Sequence, residues 1–133
     1  MTGDNKRVNI ASELARADEC LRAAGVLVDA GLLHDAESRL YYAIYHAAVA
    51  ALLTEGLDPR SHAGVSSLLG LHFIKTGRMD PDDGRLFARI QKYRVEADYS
   101  RDFVITSPAL REDVVACTGF VARVRTLVAT SLG

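Results

Sequence analysis

The chain has 133 residues, 49% hydrophobic and 25% charged, with 16 basic and 17 acidic side chains and a formal net charge of -1. That length and composition describe one globular domain, residues 1–133, able to hold a core without disulfides or metal, and they exclude a disordered chain. The near-neutral balance argues against a globally basic nucleic-acid binder and leaves room for a local basic patch. Cys20 and Cys117 stand far apart, outside any metal-ligand spacing, and read as reduced structural thiols of a cytoplasmic protein. The opening Met-Thr-Gly-Asp-Asn-Lys-Arg leads into a polar helix rather than an apolar run, so no signal peptide is expected. The longest nearly uncharged stretch, Leu40 to Thr54, is 15 residues, too short to span a bilayer, and no membrane role is expected.

In chain order, apolar residues at Ile10, Leu14, Ala17, Leu21, Ala24 and Val28 recur at helical spacing and predict a first helix from about Val8 to Asp29, ended by Gly31. A second helix is predicted from about Leu33 to Glu55, stopped by Gly56 and Pro59. A third begins near Ser61 and ends at Gly77. The fourth has an explicit start, with Asp80 as N-cap, Pro81 at the first position and Asp82 and Asp83 in the first turn; it runs to about Tyr99. The fifth repeats the device with Ser107 as N-cap and Pro108, and continues to about Ser131. No segment alternates with period two over strand length. The expected fold is all-α, an up-and-down bundle of four to five helices.

From Leu40 to Leu53 nearly every position of the second helix is apolar or aromatic, with Tyr41, Tyr42 and Tyr45 among aliphatics and alanines and His46 the exception. Such a helix is surrounded by protein and belongs at the centre of the bundle, with part of its surface available to a second subunit. Its buried tyrosine hydroxyls require partners.

Arg39 and His46, seven apart, share one face of this helix about 20° apart in azimuth, with Tyr42 near them. They are either a polar site for an RNA phosphate or nucleotide, or partners for tyrosine hydroxyls and helix ends. Arg85, Arg89 and Lys92 form a basic stripe on the fourth helix, which suits phosphate but better suits a solvated charged face. Beside Leu86, Ile90, Tyr93 and Ala97, taken as that helix's core stripe, Arg94 and Asp98 lie on the flank next to Phe87, four apart and able to pair; Tyr99 is expected to pack beside them. The pair is either a structural staple or part of a site. His34, His62 and His72 have no helical metal spacing, and no Gly-rich phosphate loop or nucleophile elbow is present; no metal or cofactor is expected.

The run Ser38-Arg39-Leu40-Tyr41-Tyr42-Ala43-Ile44-Tyr45-His46-Ala47-Ala48 resembles the central helix of small prokaryotic HEPN-domain proteins. Ala36, then Ser61-His62-Ala63-Gly64-Val65, then Arg94-Val95-Glu96-Ala97-Asp98-Tyr99 agree in order, and the resemblance covers about Ala11 to Leu127. It implies an all-α bundle, usually dimeric, often paired with a minimal nucleotidyltransferase in toxin–antitoxin systems. It also implies nucleotide or RNA binding, for which Arg94, Asp98, Tyr99, Tyr42 and His62 are the candidate residues. The resembling RNases carry Arg, four to six residues, then His, and cut RNA without metal across the dimer. Here the positions after Arg94 are Tyr99, Ser100 and Arg101, and none is His. Without imidazole nothing there titrates near neutrality to move a 2′-hydroxyl proton. The expected function is therefore a binding module, a homodimeric partner of a nucleotidyltransferase. The alternative is a metal-independent endoribonuclease toxin with an altered site drawn from the catalytic candidates Arg39, His46 and Arg94.

Overall fold

The computed structural model describes residues 3–133. Five α-helices follow one another: α1 Gly3–Asp29, α2 Leu33–Thr54, α3 His62–Leu69, α4 Pro81–Tyr99 and α5 Ser107–Leu132. A π-helical turn, Gly70–Ile74, extends α3, and no strand occurs among the described residues. The protein is the expected all-α bundle.

Its centre is α2, which packs against α1, α5, α4 and α3. Leu40, Ile44, Ala47, Ala48, Ala50, Ala51 and Leu52 are all 0% exposed. Four alanines within five residues let neighbouring backbones come close on several sides at once, which is how one helix is covered all round. Only Tyr42, Tyr45 and His46 break the seal between Leu40 and Leu53; they are half-buried, on the side where the bundle opens.

The helix ends follow their local chemistry. Asp80 accepts from the Asp82 backbone N–H at 2.8 Å, with Pro81 opening α4, as the sequence predicts. Ser61 caps α3 through the Gly64 N–H at 2.9 Å. Gly31 and Gly56 reverse the chain at φ 78° and 73°, the left-handed region that a Cβ disfavours. Four expectations are corrected. α1 begins at Gly3, five residues before Val8, because the polar opening lengthens a helix already anchored by Ile10 and Leu14. α3 proper stops at Leu69, and its remainder widens into the π turn. The cap of α5 is Thr106 rather than Ser107: its side chain accepts from the Ala109 N–H at 3.4 Å, so Ser107 is already helical. Phe87, taken as flank, is 2% exposed and belongs to the core, whereas Tyr93 and Ala97 are only half-buried.

By length and composition α5, rather than the Leu40–Thr54 run, is the helix that could cross a membrane. In the fold its Leu110, Cys117, Phe120, Val121, Val124 and Val128 are buried as one stripe of the bundle core.

Candidate functional site

The open side of α2 organises a continuous strip around Tyr42. Arg39 lies one turn before it and His46 one turn after, and the three line a cleft of about 440 Å3 with Arg16, Glu19 and Cys20 of α1. The shared face predicted for Arg39 and His46 is thus real, and α1 supplies the opposite wall. Among the described residues neither Arg16 nor Arg39 has a carboxylate within ion-pair distance. The Arg39 guanidinium lies 5.0 Å from the centre of the Tyr42 ring, a cation–π contact that leaves its N–H donors available.

His46 is held rather than free. Its Nδ1 lies 2.7 Å from Glu13 Oε2, with the imidazole 16% exposed. A carboxylate accepts from Nδ1–H, and in the neutral ring that leaves Nε2 as the basic nitrogen, with no protein partner among the described residues. This carboxylate–imidazole dyad spans 33 residues of sequence.

Arg94, from α4, also reaches Tyr42. Its Nη2 donates to the Tyr42 hydroxyl at 3.3 Å, and the guanidinium sits 5.5 Å from the centres of both the Tyr41 and Tyr42 rings. Nε lies 3.4 Å from Asp98 Oδ2, in ion-pair range but without hydrogen-bond geometry. The predicted Arg94–Asp98 pair therefore exists, at the lip of the strip, with side chains 22% and 35% exposed. Two guanidiniums thus contact Tyr42, one from α2 and one from α4.

Tyr41 is fully buried and its hydroxyl meets His62 Nδ1 at 2.6 Å. Burial and then the nearby Arg94 cation hold the His62 imidazole below its ordinary range, so the neutral ring accepts from the tyrosine. Burial likewise pushes the Tyr41 phenol up. His62 also stacks on Tyr45 at 4.7 Å between ring centres. It belongs to the strip as the support of its floor.

Tyr99 does not join the site. It is 79% exposed, the last residue of α4. Five residues beyond Arg94 it lies about 140° around the helix, whereas Asp98, four beyond, lies about 40° away. Each member of the basic stripe has an acidic neighbour: Arg85 pairs with Asp82 and Lys92 lies 4.0 Å from Glu96 at the solvated surface, while Arg89 meets the buried Asp113 at 2.7 Å. Arg89 and Arg123 tie α4 to α5 through the buried acids Asp113 and Asp83. Among the described residues no three His, Cys, Asp or Glu side chains gather closely enough to hold a metal ion. Cys20 and Cys117 are free and buried, and burial pushes both thiols up.

Glu13 and Arg16 escaped the sequence reading, in which Cys20 is only a structural thiol. Their i, i+3, i+7 spacing puts them on one side of α1, but only packing shows that this side faces Arg39 and His46.

A central apolar helix carrying a polar strip, with α1 walling a cleft beside it and α4 reaching it through Arg94, defines a small helical module. The chain belongs to the HEPN domain family, whose model matches residues 11–131. Among its relatives, a Methanocaldococcus jannaschii protein named "Putative toxin" is 41% identical over 96 residues, 72% of each chain. A second protein of that name from the same organism is 31% identical over 86 residues, 65% of this chain and 58% of the relative. A Thermotoga maritima UPF0332 protein is 30% identical over 113 residues, 85% of this chain and 86% of the relative.

Proposed function

We propose that this HEPN domain is a cytoplasmic binding module: a homodimer that partners a minimal nucleotidyltransferase in a toxin–antitoxin-like pair and binds RNA or nucleotide phosphate on the Tyr42 strip. The observation that carries the reading is the pair of guanidiniums, Arg39 and Arg94, on one tyrosine ring, beside a cleft whose Arg39 and Arg16 have no carboxylate partner among the described residues. Guanidinium forks suit phosphate oxygens, and an aromatic floor suits a base. The toxin names of two relatives support the toxin–antitoxin context.

Fluorescence polarisation with a short single-stranded RNA tests the binding. Arg39→Ala is expected to weaken it and to lower the slope of log K against log salt by about 0.7, the share of one phosphate contact. An unchanged affinity and slope would remove the strip from the interface. Light scattering at tens of micromolar tests the dimer, and co-purification with a nucleotidyltransferase encoded beside it tests the partner.

A second reading has one observation in its favour. The Glu13–His46 contact at 2.7 Å orients an imidazole toward a cleft that also holds Arg39. Such a group could take a 2′-hydroxyl proton while a guanidinium stabilises the phosphorane charge. Against it, Arg94 does not line the cleft that holds His46 and Arg39, and its contacts run to Tyr41, Tyr42 and Asp98. RNA cleavage in EDTA, lost in a folded His46→Ala variant, would establish the endoribonuclease instead.

A further inference from the structure

Glu37 is an acid on the buried face of α2, beside Ala36, Leu40 and Tyr41, and is 1% exposed. Its Oε1 has no hydrogen-bond partner among the described residues. Native folds normally satisfy such an atom, so an orphan invites a ligand. The carboxyl lines a chamber of about 180 Å3 between α2, the end of α4, the 100–106 connection and the first turns of α5. None of its lining residues is shared with the Tyr42 cleft.

The chamber has a definite chemistry. Tyr93 and Phe103, with ring centres 5.6 Å apart, form an aromatic wall, and Ile105 and Leu110 add aliphatic surface. Asp113 also lines it, but Arg89 neutralises that carboxylate at 2.7 Å. One acid without a counter-ion therefore remains, facing apolar and aromatic walls. The volume is below the roughly 300 Å3 at which drug-sized pockets begin, which calls for a compact ligand. The other polar side chains on its walls are Asp113, which is paired with Arg89, Tyr93, and Thr106, whose hydroxyl accepts from the Ala109 N–H.

We propose that this chamber binds a small primary ammonium ion with a short alkyl tail, the ammonium donating to Glu37 and the tail lying against Tyr93, Phe103 and Leu110. A monocation balances the single uncompensated carboxylate, and the aromatic wall favours a cation over a neutral guest. The groups facing Glu37 are Asp113 and Cys117 from α5 and Arg89 and Tyr93 from α4. Burial first and Asp113 second raise its carboxyl, against the opposing pull of Arg89, to about 7. Occupancy is therefore expected to rise with pH through neutrality as the carboxylate forms.

Amide NMR of the full chain, titrated with n-butylammonium chloride at pH 8 and separately with n-butanol, tests the site. Saturable shifts at Tyr93, Phe103, Ile105 and Leu110 are expected with the ammonium and not with the alcohol. Their affinity should fall about tenfold per pH unit well below Glu37's midpoint, and Glu37→Gln should abolish them. Equal binding of butanol, an undiminished Glu37→Gln response, or no saturable shift in the wild-type chain would overturn the proposal. Should the variant fail to fold, the wild-type series decides alone: an affinity flat between pH 5.5 and 8 refutes it.

Discussion

Glu37→Gln should make the protein more stable at alkaline pH and leave it nearly unchanged at acid pH. In the fold the Glu37 carboxyl is raised from an ordinary 4.5 to about 7, by burial first and then by Asp113. Between those values the native chain keeps a proton that the unfolded chain has released. Stability therefore falls as pH rises through this window, and the loss is complete above about pH 7. At about 1.4 kcal/mol per pH unit the gap corresponds to about 3 kcal/mol. Glutamine keeps the shape and the hydrogen-bonding capacity of the neutral acid and never ionises. Urea unfolding at pH 5 and pH 8 should therefore show the variant ahead by less than about 1 kcal/mol at the lower pH and by at most about 3 kcal/mol at the higher, roughly 10 °C in Tm. Comparing variant with wild type cancels the titrating groups that do not face Glu37, His62 included. A difference that is the same at both pH values, or a variant less stable at pH 8, would show that Glu37 is not held in a dehydrated pocket.

Arg94→Ala removes the cation that helps keep His62 neutral, so the His62 imidazole should titrate closer to 6.5 by NMR; an unmoved midpoint would detach Arg94 from the strip. The same variant should lose about 1–2 kcal/mol in denaturant unfolding, because the Arg94–Asp98 pair is partly solvated and the Tyr42 hydroxyl loses its donor. Tyr41→Phe should cost about 1–2 kcal/mol, since it leaves the half-buried His62 Nδ1 without its hydroxyl, and a neutral effect by thermal melting would mean that water replaces it. Ala50→Leu should destabilise by about 1–3 kcal/mol through overpacking where the residue is 0% exposed, and a tolerated leucine would contradict close helix approach at the centre.

The fold was legible in the sequence because its information is local. Proline and N-cap residues marked the start of α4 outright, positive-φ glycines marked the turns after α1 and α2, and the all-round apolar run from Leu40 to Leu53 identified the central helix before any packing was known. Helical periodicity also placed Arg39, Tyr42 and His46 on one face, and Arg94 one turn before Asp98. Where two signals compete within a residue or two, as at Thr106 and Ser107, the sequence could not choose, since either hydroxyl can cap and only the backbone path decides. Nor could spacing show that Arg89 spends its charge on Asp113, that Glu13 reaches His46, or that Arg94 reaches across to Tyr42. Those contacts join different helices, and the rotation of each helix about its axis is settled by how all the apolar faces pack together. Glu37 escaped the sequence reading altogether: a lone acid in an amphipathic run gives no sign that it is buried, and its orphan oxygen and the chamber before it exist only once α4, α5 and the intervening connection close around it.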